Sequence, residues 1–506
     1  MAITETPNGP PADAARANVD ARDLAAFGYQ QKLRRSMTSV TSFCVAFSMI
    51  TITGSLLGLF EPALREVGGV AVWLWLVALV GVMPVVLVFM HMAARIPLTG
   101  YAYQWSARLT NPYYGWIVAV FGLITFTTGS VAIGALLGSV YAPVLGLKPT
   151  PHNVASLGAA AITLAAVINI IGIRAVGAIN NGAAFLEIGG TIVISLMLLL
   201  GVAIFFDGSQ GFRVILSNHG AGAVNGTRIP FVHYLLAALL PIFTLLGWEA
   251  SADLAEETQD PRKTAPRAML RAVLVSGLAG FAVMWVFVAA IRGPIPSALG
   301  QQNAMFWLVG RQLGPVFEDA LKVIGLAAMM GCTIANVAVA TRLTYAVARD
   351  HMLPFSKHLS EISKTFRSPV VAIVTLWAVM LIINIAGAGD IFRIVSIAAV
   401  AFYFTYAATL IAVIAGARAR TIPDAPPGHF GLGRWLIPVS VLGLIWCAVT
   451  ILAYTLPAVN RYVDGYFAVA LGIGALFTAY AWWAVRSGRA PLRRTGGEVL
   501  EPSPDR

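Results

Sequence analysis

Twelve stretches of about 19 residues or more contain no Asp, Glu, Lys or Arg, and a helix of that length crosses about 30 Å of hydrocarbon. They lie near residues 36–60, 67–90, 115–143, 154–173, 188–206, 229–248, 272–291, 323–341, 368–389, 394–416, 435–459 and 466–485. Backbone polar groups in lipid need partners within the chain, so these stretches read as helices. Charged residues make up 11% of the 506, against about 25% in a soluble domain. The sequence predicts an all-α integral membrane protein with about twelve transmembrane helices.

Basic residues set the orientation, because cytoplasmic loops carry an excess of Lys and Arg. With the N-terminus inside, the inner segments hold 25 of the 34 Lys and Arg. The outer segments hold Arg65, Lys148, Arg213, Arg228, Arg292, Arg311, Lys322, Arg393 and Arg461. The net charge of +11 therefore reads as membrane topology and not as a nucleic-acid surface. Residues 1–35 form a mobile cytoplasmic tail, 207–228 an outer loop and 488–506 a second cytoplasmic tail, in a protein of the plasma (inner) membrane. The run NAMFWLVGRQLG within 293–322 predicts a short amphipathic helix on the outer face, and Asn225-Gly-Thr227 is a sequon in an outer loop. Cys44, Cys332 and Cys447 are scattered through apolar runs, so neither a disulfide framework nor a metal site follows.

Two of the spans are interrupted. Span one reads FSMITITGSLLGLF, with Thr51-Ile52-Thr53-Gly54-Ser55 a poor mixture for a straight helix. Gly54 and Gly58 also have the spacing of small-residue helix packing, so a break at Gly54 and a packing face both stay open. In span six Pro241 lacks an N–H and Gly247 weakens the helix, while Glu249 and Asp253 follow within the membrane. A carboxylate at such depth needs a partner, water or a proton. The two breaks open successive groups of five helices. Broken helices at matching places of two inverted halves mark a transporter's binding site. The halves cover 36–206 and 229–416, with 417–487 supplying two further helices.

The segment GWEASADLAEETQDPRKTAPRA at 247–268 resembles the sixth-helix signature of the amino acid–polyamine–organocation superfamily. RIPLTGYAYQWSARL at 95–109 and RLTYAVARDHMLP at 342–354 are similar to its second-helix loop and the end of its eighth helix, and NNGAAFLEI near 181–188 resembles the amino acid/choline branch. The resemblance implies the leucine-transporter fold, with a 5+5 inverted repeat and alternating access. It implies a substrate-binding set of Ile52, Thr53, Gly54, Ser55, Phe243, Thr244, Leu245, Leu246, Gly247, Trp248 and Glu249; Asn336, an amide in an apolar span, joins that set or bridges helices. Backbone N–H groups of Thr53, Gly54 and Ser55 would meet a carboxylate, and carbonyls around Leu245 and Leu246 an ammonium. Trp248 would gate the site or offer a cation–π face to a quaternary amine.

Gating or coupling roles fall to His91, Glu187, Asp253, Glu256 and Glu257. His91 stands where the family often has Glu, and either titrates or simply hydrogen-bonds. Glu187 is an ion relay or a paired carboxylate. The acidic trio pairs with Arg95, Arg108 or Arg349 as a cytoplasmic gate, or is a solvated helix end. Thr127, Thr128, Thr333 and Thr341 offer hydroxyls that packing also explains, and Tyr403 and Tyr406 are gates, anchors or core. No basic residue in mid-helix five replaces a sodium ion, so the coupling ion, H+ or Na+, stays open, and no cofactor is called for. No HExxH, Gly-x-Ser-x-Gly or phosphate-loop motif supports an enzyme or a nucleotide-driven pump. The expected function is a secondary carrier for amino acids; a choline, ethanolamine or polyamine carrier and a non-transporting sensor are the alternatives. Its partners are a small-molecule substrate and the lipid bilayer, with no nucleic acid; the substrate's identity and the oligomeric state have no signature in the chain.

Overall fold

The computed structural model describes residues 22–216, 230–387 and 391–456, with a few positions between 479 and 487. Thr38 caps the first apolar helix, its hydroxyl accepting from the Thr41 amide. That helix, α1 (Ser39–Ile50), stops at Thr51, and α2 (Ile52–Val67) continues the span. There follow α3 (Ala71–Ala93), α4 (Tyr101–Leu109), α5 (Pro112–Val144), α6 (Pro151–Ile171) and α7 (Ile173–Leu200). The sixth stretch is divided into α8 (Phe231–Thr244) and the one-turn α9 (Ala250–Asp253). Then come α10 (Pro261–Ala289), α11 (Ala304–Leu313), α12 (Pro315–Arg349), α13 (Ser356–Leu359), α14 (Val370–Ala386), α15 (Ile391–Ala419) and α16 (Leu436–Thr455). No strand occurs among the described residues, only two isolated bridges.

Eleven of the twelve apolar stretches fall on these helices; the twelfth, 466–485, lies almost wholly outside the described residues. Among the described residues eight helical stretches have the length and composition to cross a membrane, and α8 and α14 are shorter apolar helices. The protein is a multi-pass membrane protein. The sequon at Asn225 and the tail 488–506 also lie outside the described residues. The short outer helix expected in 293–322 is α11.

Burial ranks the helices. The apolar windows of α12 and α5 are 78% and 72% buried, that of α7 only 22%. Thus α5 and α12 run through the middle, while α7 faces outward on most of its girth. The inner stripe of α7 carries Asn180, Ala184, Glu187 and Thr191 at helical spacing and packs against α1 and α12. The broken pairs α1/α2 and α8/α9 lie among α5, α10, α12 and α15.

The described N-terminal segment is not a loose tail. The Ser36 and Met37 amides donate to the Glu257 carbonyl, and Arg262 bonds Asp23 at 2.6 Å. Tyr29 donates to both Asp350 carboxylate oxygens, and the Arg349 guanidinium lies 3.7 Å from its ring centre. Burial, with the Asp350 charge adding to it, pushes the Tyr29 phenol up to about 12, so it stays a donor. A mobile tail was expected because this segment is polar; its order comes from ion pairs and rings supplied by distant loops.

Helices α5 and α6 approach backbone to backbone. A Cβ on Gly138 would lie 2.4 Å from the Val154 carbonyl oxygen, whereas one on Gly182 would meet nothing within 4 Å. Overpacking a close contact costs about 1–3 kcal/mol. Gly138→Leu is therefore expected to lower the apparent melting temperature in detergent by several degrees, while Gly182→Ala leaves it within about one degree; equal melting would contradict the close approach.

Candidate functional site

The break in span one is at Thr51, not at Gly54. Thr51 adopts φ 41°, a left-handed conformation that is an outlier for a β-branched residue and costs on the order of 1–3 kcal/mol. Its amide still donates to the Phe47 carbonyl, and its carbonyl accepts from the Ser55 amide, so the chain turns without leaving the helix axis for long. Gly54 sits inside α2, where a Cβ would meet the Thr51 hydroxyl at 2.5 Å and Met329 at 2.9 Å; at Gly58 it would meet Leu136 at 2.4 Å. These glycines serve close packing. The break belongs to Thr51, three residues earlier, whose residue type alone does not mark it as a helix end.

Span six opens where the sequence indicated. The Leu245 amide donates to Pro241, after which the chain runs irregularly through Gly247 at φ 83° until α9 begins. Glycine adopts that conformation readily. A side chain there would also meet Met49 of α1 within 2.8 Å, so the two breaks face each other directly.

Between them is a small space lined by residues of both breaks. Phe243, Leu246, Ile133 and Phe402 give it apolar walls, and Gly129 and Gly247 leave room beside the backbone. Its polar groups are few. Asn336 donates to the Cys332 carbonyl, fixing the amide so that Oδ1 is left without a partner among the described residues. Ser55 Oγ is likewise buried and unpartnered. The site thus holds one fixed acceptor and one hydroxyl in an apolar setting, the composition of a small-molecule pocket. Cys332 donates to the Met49 carbonyl at 3.2 Å, satisfying an end of α1.

Of the expected binding set, Ser55, Phe243, Leu246, Gly247 and Asn336 line this space. Ile52 and Thr244 are buried beside it, with the Thr244 hydroxyl bonded to the Leu240 carbonyl of its own helix. The Leu245 and Leu246 carbonyls take no backbone bond from a turn or cap among the described residues. Two expectations are corrected. The amides of Thr53 and Ser55 are not free: Thr53 donates to Glu187 Oε1 at 2.8 Å and Ser55 to Thr51. Trp248 is neither lid nor open cation–π face, since Tyr406 lies along its ring at 5.4 Å and Phe89 meets it edge-on. It stands behind the cavity wall.

Glu249 is fully buried and accepts a 2.7 Å hydrogen bond from Tyr406, whose oxygen also lies 3.4 Å from the Gly247 amide. Tyr406 therefore ties α15 to the second break. The acidic residues that follow close the face carrying the N-terminal segment. Asp253 accepts from the Gly100 amide at 2.9 Å. Glu256 accepts from the Thr99 amide and from both Arg349 terminal nitrogens, at 2.9 and 3.1 Å. Glu257 pairs with Arg342, both side chains wholly buried, and Arg342 also reaches Asn169. Of the expected basic partners only Arg349 joins an acid of this trio. Arg95 bonds the His91 and Phe430 carbonyls, and Arg108 lies over the Phe27 and Tyr29 rings. Arg342 went unrecognised because, at the edge of a long apolar helix, it reads as a surface charge.

His91 accepts from the Leu432 amide, a structural bond between loop and helix. The hydroxyls of Thr127, Thr128, Thr333 and Thr341 all bond carbonyls of their own helix three or four residues back, which leaves them to packing. Tyr403 accepts from Trp446, in the core.

Residues 37–477 match the family model described as amino acid permease. The chain is 25% identical to Amino-acid permease BAT1 of Arabidopsis thaliana over 502 residues, covering 91% of this chain and 95% of that protein. It is 24% identical to a BAT1 homolog of Oryza sativa (91% and 92% covered) and 22% identical to Amino-acid permease 2 of Neurospora crassa (84% and 79% covered). These relatives are named as permeases, not enzymes. With the match extending over nearly all of its apolar helices, the chain belongs to the amino acid permease family.

Proposed function

We propose that this protein is a secondary carrier that moves amino acids across the plasma membrane by alternating access. The observation that carries the reading is the pair of facing breaks, at Thr51 and at Leu245–Glu249, around one small cavity deep in the helix bundle. Irregular backbone at membrane depth persists where it lines a cavity or is buried in protein. Twelve spans in a 5+5 inverted repeat, with both termini cytoplasmic, agree with the order of the described helices and the distribution of Lys and Arg.

An amino acid suits the cavity better than a quaternary amine. The Asn336 oxygen and the Leu245 and Leu246 carbonyls are acceptors for an ammonium that brings N–H donors. A quaternary amine has none, and the ring face of Trp248 is already covered. The apolar walls receive the side chain. The Glu257–Arg342 and Glu256–Arg349 pairs, with the N-terminal segment over them, form the cytoplasmic closure. Removing one member of a buried pair leaves the other charge unpaired at a cost of about 3–5 kcal/mol, so loss of either arginine opens this closure.

Two outcomes test the reading. In proteoliposomes the purified protein takes up at least one radiolabelled amino acid, and Asn336→Ala raises the half-saturating concentration about tenfold, the equivalent of one hydrogen bond to a charged group. Folded protein that moves no amino acid would overturn the assignment. Arg349→Ala is expected to raise the rate at which a small methanethiosulfonate modifies Cys332, which lines the cavity, by about tenfold or more, with substrate protecting; an unchanged rate would remove Arg349 from the closure.

A further inference from the structure

The first turn of a helix directs free amides and a positive dipole end outward, and so attracts anions. At α2 that place is already taken. Glu187 reaches across from α7, is 1% exposed, and sets Oε1 2.8 Å from the Thr53 amide. The Thr53 hydroxyl, in turn, bonds Thr191, one turn along α7 from Glu187. The second carboxylate oxygen, Oε2, is buried and accepts no hydrogen bond among the described residues. No ion pair joins Glu187 to a cation among the described residues. The titratable group facing it from α12 is the Cys332 thiol; α2 presents the Thr53 amide, and α1 carries the buried Cys44 thiol. A carboxylate so placed has two ways to be satisfied at this depth: the amides at the α2 N-terminus, or a proton.

We propose that Glu187 is the coupling group of the carrier, an internal carboxylate that holds the α2 amide cradle until a proton from solution neutralises it and the substrate's carboxylate replaces it. This rests on the carrier reading above and deepens it by naming the coupling ion. The exchange balances in charge. A proton adds to Oε2 of Glu187, giving the neutral acid; the Thr53 N–H leaves Oε1 and is accepted by the substrate's carboxylate oxygen. One negative charge occupies the cradle before and after, so the dipole is never left uncompensated and two carboxylates never share it. Repulsion between two anions at such a separation is what forces one of a close pair to bind a proton.

Further buried polar groups lie along the same seam. On the stripe of α7 two turns nearer the N-terminal face, Asn180 Oδ1 is buried and unpartnered, and so is Ser48 Oγ of α1. Both lie about 3.5 Å from the position a Cβ on Gly331 would take. Asn181 donates to Thr41 at the end of this line. These polar groups share with Glu187 the stripe of α7 that packs against α1 and α12.

The test reads protons directly. Purified protein in weakly buffered detergent with a pH indicator receives a pH-matched equimolar mixture of the neutral L-amino acids. Binding is followed separately by the thermal shift the same mixture produces. Near neutral pH the wild type is expected to take up about one proton per site filled, and Glu187→Gln to bind with none. Glu187→Asp, too short to keep the Thr53 contact, retains uptake with its midpoint moved by at least about half a pH unit, and keeps the proposal testable if the Gln variant does not fold. Binding by the wild type without proton uptake, the same uptake in the Gln variant, an unmoved midpoint in the Asp variant, or binding that needs sodium instead would each overturn it. No binding of any amino acid by the wild type would remove the carrier reading itself and the coupling role with it.

Discussion

Every backbone amide and carbonyl inside a bilayer needs a partner, and at two places this chain releases them from the helix ladder. The rest of the structure is arranged around that cost. Thr51 is held in a conformation a β-branched residue seldom adopts, and Gly247 in one that suits glycine. Groups from other helices come in to meet the freed backbone: Glu187 at the Thr53 amide, Cys332 at the Met49 carbonyl, and Tyr406 beside the Gly247 amide. Each comes from a different helix, α7, α12 and α15. The breaks are therefore where the bundle is cross-linked as well as where it is open.

The closure below the cavity follows from the second break. Because α8 ends at Thr244 and α9 lasts only one turn, the acidic run 253–257 folds back inside the protein and does not continue a helix into solvent. Buried carboxylates there require cations or amides, and Arg342, Arg349, Thr99 and Gly100 supply them. The N-terminal segment then packs onto the same residues through the Glu257 carbonyl and the Tyr29–Asp350 contact. A change at the cavity reaches this network through fewer than ten residues of chain. In the carrier we propose, that short connection gives alternating access a physical route, since the element bearing the Leu245 and Leu246 carbonyls also bears the carboxylates of the proposed gate.

Much of this was legible in the residues. Charge-free runs located the helices because no soluble alternative buries so many apolar residues with so few charges. The span-six break was legible because Pro241 and Gly247 act locally and a carboxylate follows them. Span one was read at the wrong residue: Gly54 is the obvious weak point, yet it is the glycine that lets α2 approach Met329, and the strained residue is Thr51. Trp248 was assigned a face that Tyr406 covers, a contact between residues more than 150 positions apart that no local pattern reports. The Glu187–Thr53 contact and the Glu257–Arg342 pair are of the same kind. Residue type announces a need for a partner, and only the fold says which one.

The central claim is that an amino acid occupies the space between the two breaks. The most direct measurement is an experimental density map of the protein with a transported amino acid bound. The account predicts ligand density bounded by Ser55, Gly247 and Asn336, with the ammonium toward the Leu245 and Leu246 carbonyls and the carboxylate at the first turn of α2. Ligand density elsewhere in the bundle, with this space unchanged and Glu187 still on Thr53, would contradict it.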